Sequence, residues 1–273
     1  MHRVLSDMLN IQELSLDLPH RVRHARPEDA PVIFALKVEA FGRTFLPYTI
    51  YQAPQAVRYL RKLILQSMGL GNQRFVLVED AARALAYYHA LYRDAEFFLN
   101  YIAVAETVRG QAWGSFLLRH FEEAGRLLGC RQLVLDVFES NHAALTWYQR
   151  LGYHPASASF QARLAIGSIQ DKDIPLDCDE ESWVRARREE NFWGFSKVEC
   201  SCGPGRITVG LIAQTVCKLL NYERVPIEEA MLAVAHGFRE QREILILSSL
   251  SEVPSNWHLL SKEKVMHLVK AIS

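Results

Sequence analysis

Net charge is the first thing this sequence lacks: 31 lysines and arginines stand against 31 aspartates and glutamates in 273 residues. With no net field the chain has nothing that draws it as a whole to nucleic acid or to an anionic membrane, so any anion site must be local. A long apolar run is also missing. Met1 to Leu18 carries Asp7, Gln12, Glu13 and Asp17 among its leucines, unlike the continuous apolar stretch of a signal peptide, and no later segment is long enough to span a bilayer. The expectation is a soluble, cytoplasmic protein. Cysteine is scarce: Cys130, Cys178, Cys200, Cys202 and Cys217 are odd in number and contain no Cys-x-x-Cys spacing. That argues against a disulfide framework or a structural zinc and predicts reduced, structural thiols and no metal. Apolar residues are abundant, 49% against 23% charged, which excludes general disorder and predicts a globular protein with a buried core. The length allows one domain or two.

Periodicity orders the first 165 residues. A strand over Arg21 to Arg26 meets Pro27, Glu28 and Asp29, an acidic start suited to the positive end of a helix, and Ile33, Leu36 and Ala40 then recur at helical spacing. Val57, Leu60 and Ile64 predict a second helix, ended by Gly69 and Gly71. Phe75 to Glu79, Ala84 to Tyr92 and Glu96 to Val104 read as an antiparallel meander with short turns. From Phe116 to Leu128 the period becomes helical and closes at Gly129; Leu133 to Phe138 is a strand, and Ala143 to Leu151 a helix capped by Ser140 or Asn141 and stopped by Gly152. The predicted order is β, α, α, β, β, β, α, β, α, β.

One junction in this order can do chemistry. The strand segment Ile102-Ala103-Val104 passes through a turn to Arg109-Gly110-Gln111-Ala112-Trp113-Gly114-Ser115 and so into a long helix. Unpaired amides and the positive dipole end at that helix start, with small residues around them, let a diphosphate approach the main chain. By glycine content alone the segment reads rather as a plain turn before an amphipathic helix, and it is the sequence downstream that reverses this. No Lys-Ser or Lys-Thr follows the loop and the strand before it belongs to a hairpin, which disfavours nucleoside triphosphates and NAD.

Downstream lies Asp136-Val137-Phe138-Glu139-Ser140-Asn141-His142-Ala143-Ala144-Leu145-Thr146-Trp147-Tyr148-Gln149-Arg150-Leu151-Gly152-Tyr153. The glycine loop and this block together resemble the GNAT superfamily of acyl-CoA N-acyltransferases over about residues 20 to 165, nearest to the bacterial enzymes that acetylate the N-terminal alanine of a ribosomal protein. The resemblance implies an α/β (α+β) fold, a central mixed and mostly antiparallel sheet flanked by helices. It implies acetyl-CoA as acyl donor and a primary amine as acceptor, either a protein or peptide N-terminus or a small molecule. Ile102 and Val104, with Ala103 between them, would line the pantetheine arm; Arg109 to Ser115 would hold the pyrophosphate; Asn141 would hydrogen-bond the donor near its thioester; and Tyr148 would be the general acid. The family has glycine where this chain has Ala112, whose methyl would weaken binding at most. Asp136, at an acidic position of the alanine-acetyltransferase pattern, is a candidate base or a paired surface charge, with Glu96 and Glu139 in reserve. Phe41, Phe45, Tyr48 and Tyr51 either wall the acceptor pocket or belong to the core. A non-catalytic, CoA-binding regulatory or interaction module is the competing function.

The expected domains are a lead-in over 1–19, the acetyltransferase domain over 20–167, a linker over 168–182 around Pro175, and a smaller C-terminal α/β domain over 183–273. There Phe195 to Ser201 and Arg206 to Ile212 predict a hairpin about Gly203-Pro204-Gly205, followed by two helices and a strand over Ile244 to Leu247. Arg185, Arg187, Arg188, Glu189 and Glu190 read as a solvated helix face or a patch for an acidic substrate. Trp257 to Val269 resembles the terminal strand of tandem acetyltransferases. This part is either a degenerate second GNAT half or an unrelated cap, and no second CoA site is expected because no glycine loop opens a helix in it.

Overall fold

The computed structural model describes residues 21–68, 71–80, 83–166, 174–248 and 257–272; the lead-in 1–19, Gly69 and residues 168–173 of the expected linker lie outside them. The elements are β1 (Arg21–His24), α1 (Ala30–Phe45), α2 (Ala56–Ser67), β2 (Gln73–Asp80), β3 (Arg83–Arg93), β4 (Glu96–Val104), α3 (Trp113–Leu127), β5 (Gln132–Phe138), α4 (His142–Arg150), β6 (His154–Ala165), α5 (Glu180–Trp193), β7 (Phe195–Cys202), β8 (Gly205–Ile212), β9 (Val216–Glu223), α6 (Ile227–Gly237), β10 (Glu243–Ser248) and β11 (His258–Ala271). Up to residue 165 this is the order predicted above.

The eleven strands of the described residues join one sheet in the order β1-β2-β3-β4-β5-β11-β6-β10-β9-β8-β7. Alternation along the strands divides the core between its two faces. Leu133, Leu135 and Val137 of β5 pack with Leu117, Leu118, Phe121 and Ala124 of α3 on one face. Ile33 and Leu36 of α1 and Leu60 and Ile64 of α2 cover Phe75, Leu77, Tyr87 and Ala103 on the other. Gly125 lets α3 lie close on β5, since a Cβ there would stand 2.6 Å from Leu133 Cδ2.

The second half repeats the first. β7, β8 and β9 form an antiparallel meander like β2, β3 and β4, and β9 then runs parallel to β10 through α6 as β4 runs parallel to β5 through α3. The irregularities correspond as well: the register of β4 shifts at Asn100, just past its last parallel pair Leu99, and that of β9 shifts at Leu220, just past Leu219. The final strands are exchanged. β6 leaves the first half to pair with β10, while β11 returns from the second half to pair with β5 along Gln132–Phe138 and with β6 on its other side.

Four expectations are corrected. Val216–Glu223 is a strand rather than a helix; the hairpin before it turns on Ala213 (φ 53°) and Gln214 (φ 62°), left-handed residues that are not glycine. Helix α5 begins at Glu180, inside the expected linker. Glu190 on that helix is buried rather than solvated: it accepts from the Gln214 amide at 2.8 Å and pairs with Arg187 at 2.9 Å, and desolvation raises its pKa. Cys178 and Cys200 are joined in a disulfide, while Cys130, Cys202 and Cys217 are buried thiols. The neighbouring pair Asp177 and Ser201 forms an isolated antiparallel bridge, which brings the two sulfurs together through a contact that sequence spacing does not record.

Candidate active site

A gap opens in the sheet between β4 and β5. These strands pair only over Glu96–Leu99 with Gln132–Leu135, and the bulge at Asn100 then turns β4 away. On its far side β4 stays bound to β3, with Ala86 opposite Val104 and the Ala105 amide donating to Leu85 O at 2.8 Å. Successive residues of a strand point their amides and carbonyls to opposite edges. The main-chain groups of Ile102 and Val104 therefore face the gap, where Arg109 Nε donates to Val104 O at 3.2 Å. Ala103 turns its main chain to β3 and its methyl into the core, so it contributes no polar group to the gap.

The end of this edge leads to the start of α3. Residues 105–112 make a short 3-10 turn over Glu106–Val108 and then two left-handed residues, Gly110 (φ 78°) and Ala112 (φ 63°). The first bond of the helix runs from the Phe116 amide to Ala112 O at 2.9 Å, which leaves the Gly114 and Ser115 amides in a turn where helix geometry offers no acceptor. A Cβ on Gly114 would lie 3.4 Å from the Trp147 ring and 3.9 Å from Val104 Cγ2, so the indole of α4 stands beside the helix start. Gln111 is exposed, and the Trp113 ring meets Phe116 edge to face at 5.8 Å. The Arg109 guanidinium, 46% exposed, folds back to Glu39, 3.7 Å from its carboxylate.

Tyr148 lies on α4, 6% exposed, its ring against Trp147 and Tyr153. Burial pushes its pKa well up, which keeps the phenol protonated, and among the described residues nothing hydrogen-bonds its hydroxyl. Asn141 is the N-cap of α4: its Oδ1 accepts from the Ala144 amide at 3.3 Å, which leaves its Nδ2 to donate elsewhere. Glu96 sits at the opposite end of β4 from Val104, about 26 Å away at strand rise. The gap is thus out of its reach. Glu139 pairs with Lys264 Nζ at 2.6 Å.

Asp136 is the first residue of β5 beyond the last β4 pair, and it points to the face opposite Leu135 and Val137. That face also carries Phe138, on which Phe45 stacks at 4.6 Å between centroids and Tyr48 tilts at 5.7 Å. Phe41 and Tyr51 instead meet Tyr101 edge to face, and Tyr51 is core, 2% exposed. Lys37 Nζ is buried against the Tyr101 and Tyr51 rings, at 2.9 and 4.0 Å from their centroids, and desolvation depresses its pKa strongly. Across the β5–β11 ladder Asp136 Oδ1 meets His267 Nδ1 at 2.8 Å. Sequence reasoning missed both Lys37 and His267; the first looks like an ordinary exposed cation on a helix, and the second lies 131 residues from its partner. Among the described residues no group of three or more His, Cys, Asp or Glu side chains could hold a metal ion, and no helix is long and apolar enough to cross a membrane.

Residues 39–153 match the family model described as Acetyltransferase (GNAT) family. No curated protein matches the chain by sequence. Among solved structures, a GCN5-related N-acetyltransferase from Sphaerobacter thermophilus superposes with a TM-score of 0.60 at 16% identity, covering 94% of this chain and 97% of its own. A tandem GNAT protein of the clavulanic acid biosynthesis pathway gives 0.64 at 12% identity over 92% and 98%. A GCN5-related N-acetyltransferase from Kribbella flavida gives 0.56 at 12% identity over 92% and 71%. At these identities the likeness is one of fold, and it extends over both halves of the sheet.

Proposed function

We propose, from the match of residues 39–153 to the GNAT acetyltransferase family model, that the protein transfers an acetyl group from acetyl-CoA to a primary amine by direct attack, with both substrates bound together. The observation that carries this is the open main-chain edge at Ile102 and Val104 ending at the first-turn amides of α3. A pantetheine arm has alternating amide donors and acceptors that such an edge matches, and a diphosphate suits the helix start. Gly110 has open space around it, and Gly114 brings the backbone close to Val104, so the cradle fits the group. In this assignment Arg109, Gly110, Gln111, Ala112, Trp113, Gly114 and Ser115 hold the diphosphate, Ile102 and Val104 the arm, with Ala103 between them turned to β3, and the Asn141 Nδ2 amide the end nearest the thioester. The donor supplies an activated carbonyl and a thiolate leaving group.

The chain's own work is placement and proton transfer. Ile102 and Val104 align the donor, and a main-chain N–H of the β4 edge polarises the carbonyl under attack. Tyr148, kept neutral by burial, gives its proton to the departing sulfur. The Asp136 carboxylate serves removal of a proton from the acceptor ammonium. The acceptor is either a peptide N-terminus or a small amine, entering from the face that bears Phe45, Tyr48 and Phe138. Residues 183–273 are a degenerate second half without a CoA site: only residues 224–226 join β9 to α6, where residues 105–112 join β4 to α3, and that span has no room for a cradle.

Thiol release from acetyl-CoA over a panel of small amines and an alanine-ended peptide tests the proposal. Turnover is expected, and Tyr148→Phe should lower kcat by about 100-fold or more while the calorimetric Kd for coenzyme A holds. Binding without turnover would instead indicate a non-catalytic module, and no heat with coenzyme A would remove the assignment altogether.

A further inference from the structure

We propose that His267 is the base that receives the acceptor amine's proton, held in place by Asp136, so that the C-terminal strand of the second half completes the active site of the first. This rests on the acetyl-transfer reading above and deepens it at one point, the path of the proton.

The geometry supports a base rather than a chance surface pair. His267 and Asp136 are directly opposed in the β5–β11 register, and Nδ1 lies 2.8 Å from Oδ1. An ionised carboxylate only accepts, so it fixes the proton of a neutral imidazole on Nδ1 and leaves the lone pair on Nε2. Nothing among the described residues hydrogen-bonds that second nitrogen. Both side chains keep access, at 37% and 40% exposure, whereas Val137, Val265 and Leu268 around them are buried. Their place follows from the strand pairing: Asp136 is the first residue after β4 departs, so the pair lies at the floor of the gap, on the face that carries Phe138, Phe45 and Tyr48. A donor whose diphosphate sits at the start of α3 would extend along the β4 edge past Val104 towards Leu99 and so bring its reactive end to this floor, and the amine would approach from the side that carries Phe45.

Neighbouring charges are engaged elsewhere. Lys264 pairs with Glu139 at 2.6 Å, and Glu263 accepts from Ser140 Oγ at 2.6 Å. On β6 the residue opposite His267 is Ser157, which carries no charge, and over Phe138 the Tyr48 phenol lies near Glu263 and near Arg163, which pairs with Glu243 at 2.5 Å. The geometry thus leaves the His267 imidazole, with its free Nε2, as the base at this floor and Asp136 as its orienting partner.

The proton count closes. Nε2 of His267 takes one proton from the ammonium and releases it to solvent. The freed nitrogen pair forms the C–N bond as the C–S bond breaks, Tyr148 protonates the sulfur, and the second nitrogen proton restores the Tyr148 hydroxyl. The products are the amide, the free thiol and one proton in solution.

The test compares His267→Ala and His267→Asn with wild type, using whichever amine of the panel the wild type acetylates fastest, between pH 6.5 and 9.5. Asparagine retains an N–H for Asp136 but cannot take a proton. Both variants should lose about 100-fold or more in kcat/KM at pH 7. The loss should shrink at least about tenfold at pH 9.5, where far more of the amine is neutral without help than at pH 7. The coenzyme A Kd should stay within about twofold, as the pair touches no part of the cradle. Should the alanine variant fail to fold, the asparagine variant carries the test. An asparagine variant with wild-type kcat/KM at pH 7 would assign the pair a structural role and overturn the proposal alone. A wild type that binds coenzyme A and acetylates no amine would overturn it together with the enzymatic reading.

Discussion

Residue 112 shows what a side chain's identity reveals and what only its backbone does. Reading the sequence identifies alanine where the GNAT pattern it resembles has glycine, and from that it anticipates a methyl crowding a phosphate. The structure adds the conformation: Ala112 is the N-cap of α3 at φ 63°, ψ 8°, a left-handed state that glycine adopts freely and alanine does not. Ala112→Gly should therefore raise stability by roughly 0.5–1 kcal/mol in urea unfolding, the relief of left-handed strain exceeding the entropy that glycine loses on folding. It should also lower the calorimetric Kd for coenzyme A; an unchanged Kd would place the diphosphate away from this residue. A second residue-scale effect concerns pH. His120 lies in the core with Nδ1 3.0 Å from the Tyr88 hydroxyl, and burial pushes its pKa down to about 4 from 6.5. The unfolded chain then binds a proton that the folded one refuses, so stability is full above pH 6.5 and falls as the pH drops from there to 4. Roughly 3 kcal/mol should go with this group across that window, and His24 and His89, also depressed chiefly by desolvation, act in the same direction. Unfolding midpoints measured at pH 7.5 and 5 should separate, and His120→Gln should narrow the separation; equal midpoints in wild type would refute the buried neutral state. Asp136 could be found in the sequence because it sits in a local block. His267 could not, since only strand pairing brings it there.

At the scale of elements, legibility follows local punctuation. Strand β4 was readable to the residue, Glu96 to Val104, because Asp94 and the turn at Arg109-Gly110 bracket an apolar run. Strand β9 falls where the sequence predicts helix, because Val216-Cys217-Lys218-Leu219-Leu220 suits either period and the hairpin before it turns on Ala213 and Gln214, where no glycine, asparagine or proline marks it. The gap between β4 and β5 is likewise absent from the sequence as such, being a failure of pairing after Leu99 caused by the bulge at Asn100. Helix α1 has its own hidden device. Gly42 breaks it at φ 54° and ψ −160°, a conformation essentially confined to glycine, and the break carries Phe45 onto Phe138. There is free space around Gly42, so Gly42→Ala tests the backbone alone. The expected result is a loss of roughly 1–3 kcal/mol in stability together with a raised KM for the acceptor amine and an unchanged Kd for coenzyme A. Unaltered unfolding would show that the kink is not under strain.

The exchange of final strands governs the molecule as a whole. Each half builds its own meander and its own parallel pair, yet β5 is completed by β11 and β10 by β6, and β6 and β11 then seal the halves to each other. The sequence hinted at this through a terminal strand beyond Trp257, but the order of its neighbours depends on contacts across more than a hundred residues, which no local pattern specifies. One physical consequence is that residues 21–166 are not self-sufficient. Without β11 the whole of Gln132–Phe138 presents an unpaired edge, and the outer side of β6 loses β10 too. Long apolar edges of that kind template aggregation. Expressed alone, residues 21–166 should aggregate and give no saturable heat with coenzyme A. Co-expressed with residues 174–273 as a separate chain, they should be recovered as a soluble 1:1 complex, because both exchanged pairs re-form across the break. A soluble monomer of 21–166 that unfolds cooperatively would refute this. Acetyl transfer by the complex, lost again when its second chain carries His267→Asn, would tie the exchange to the chemistry: the second half would then be retained for the strand it lends to the first rather than for a site of its own.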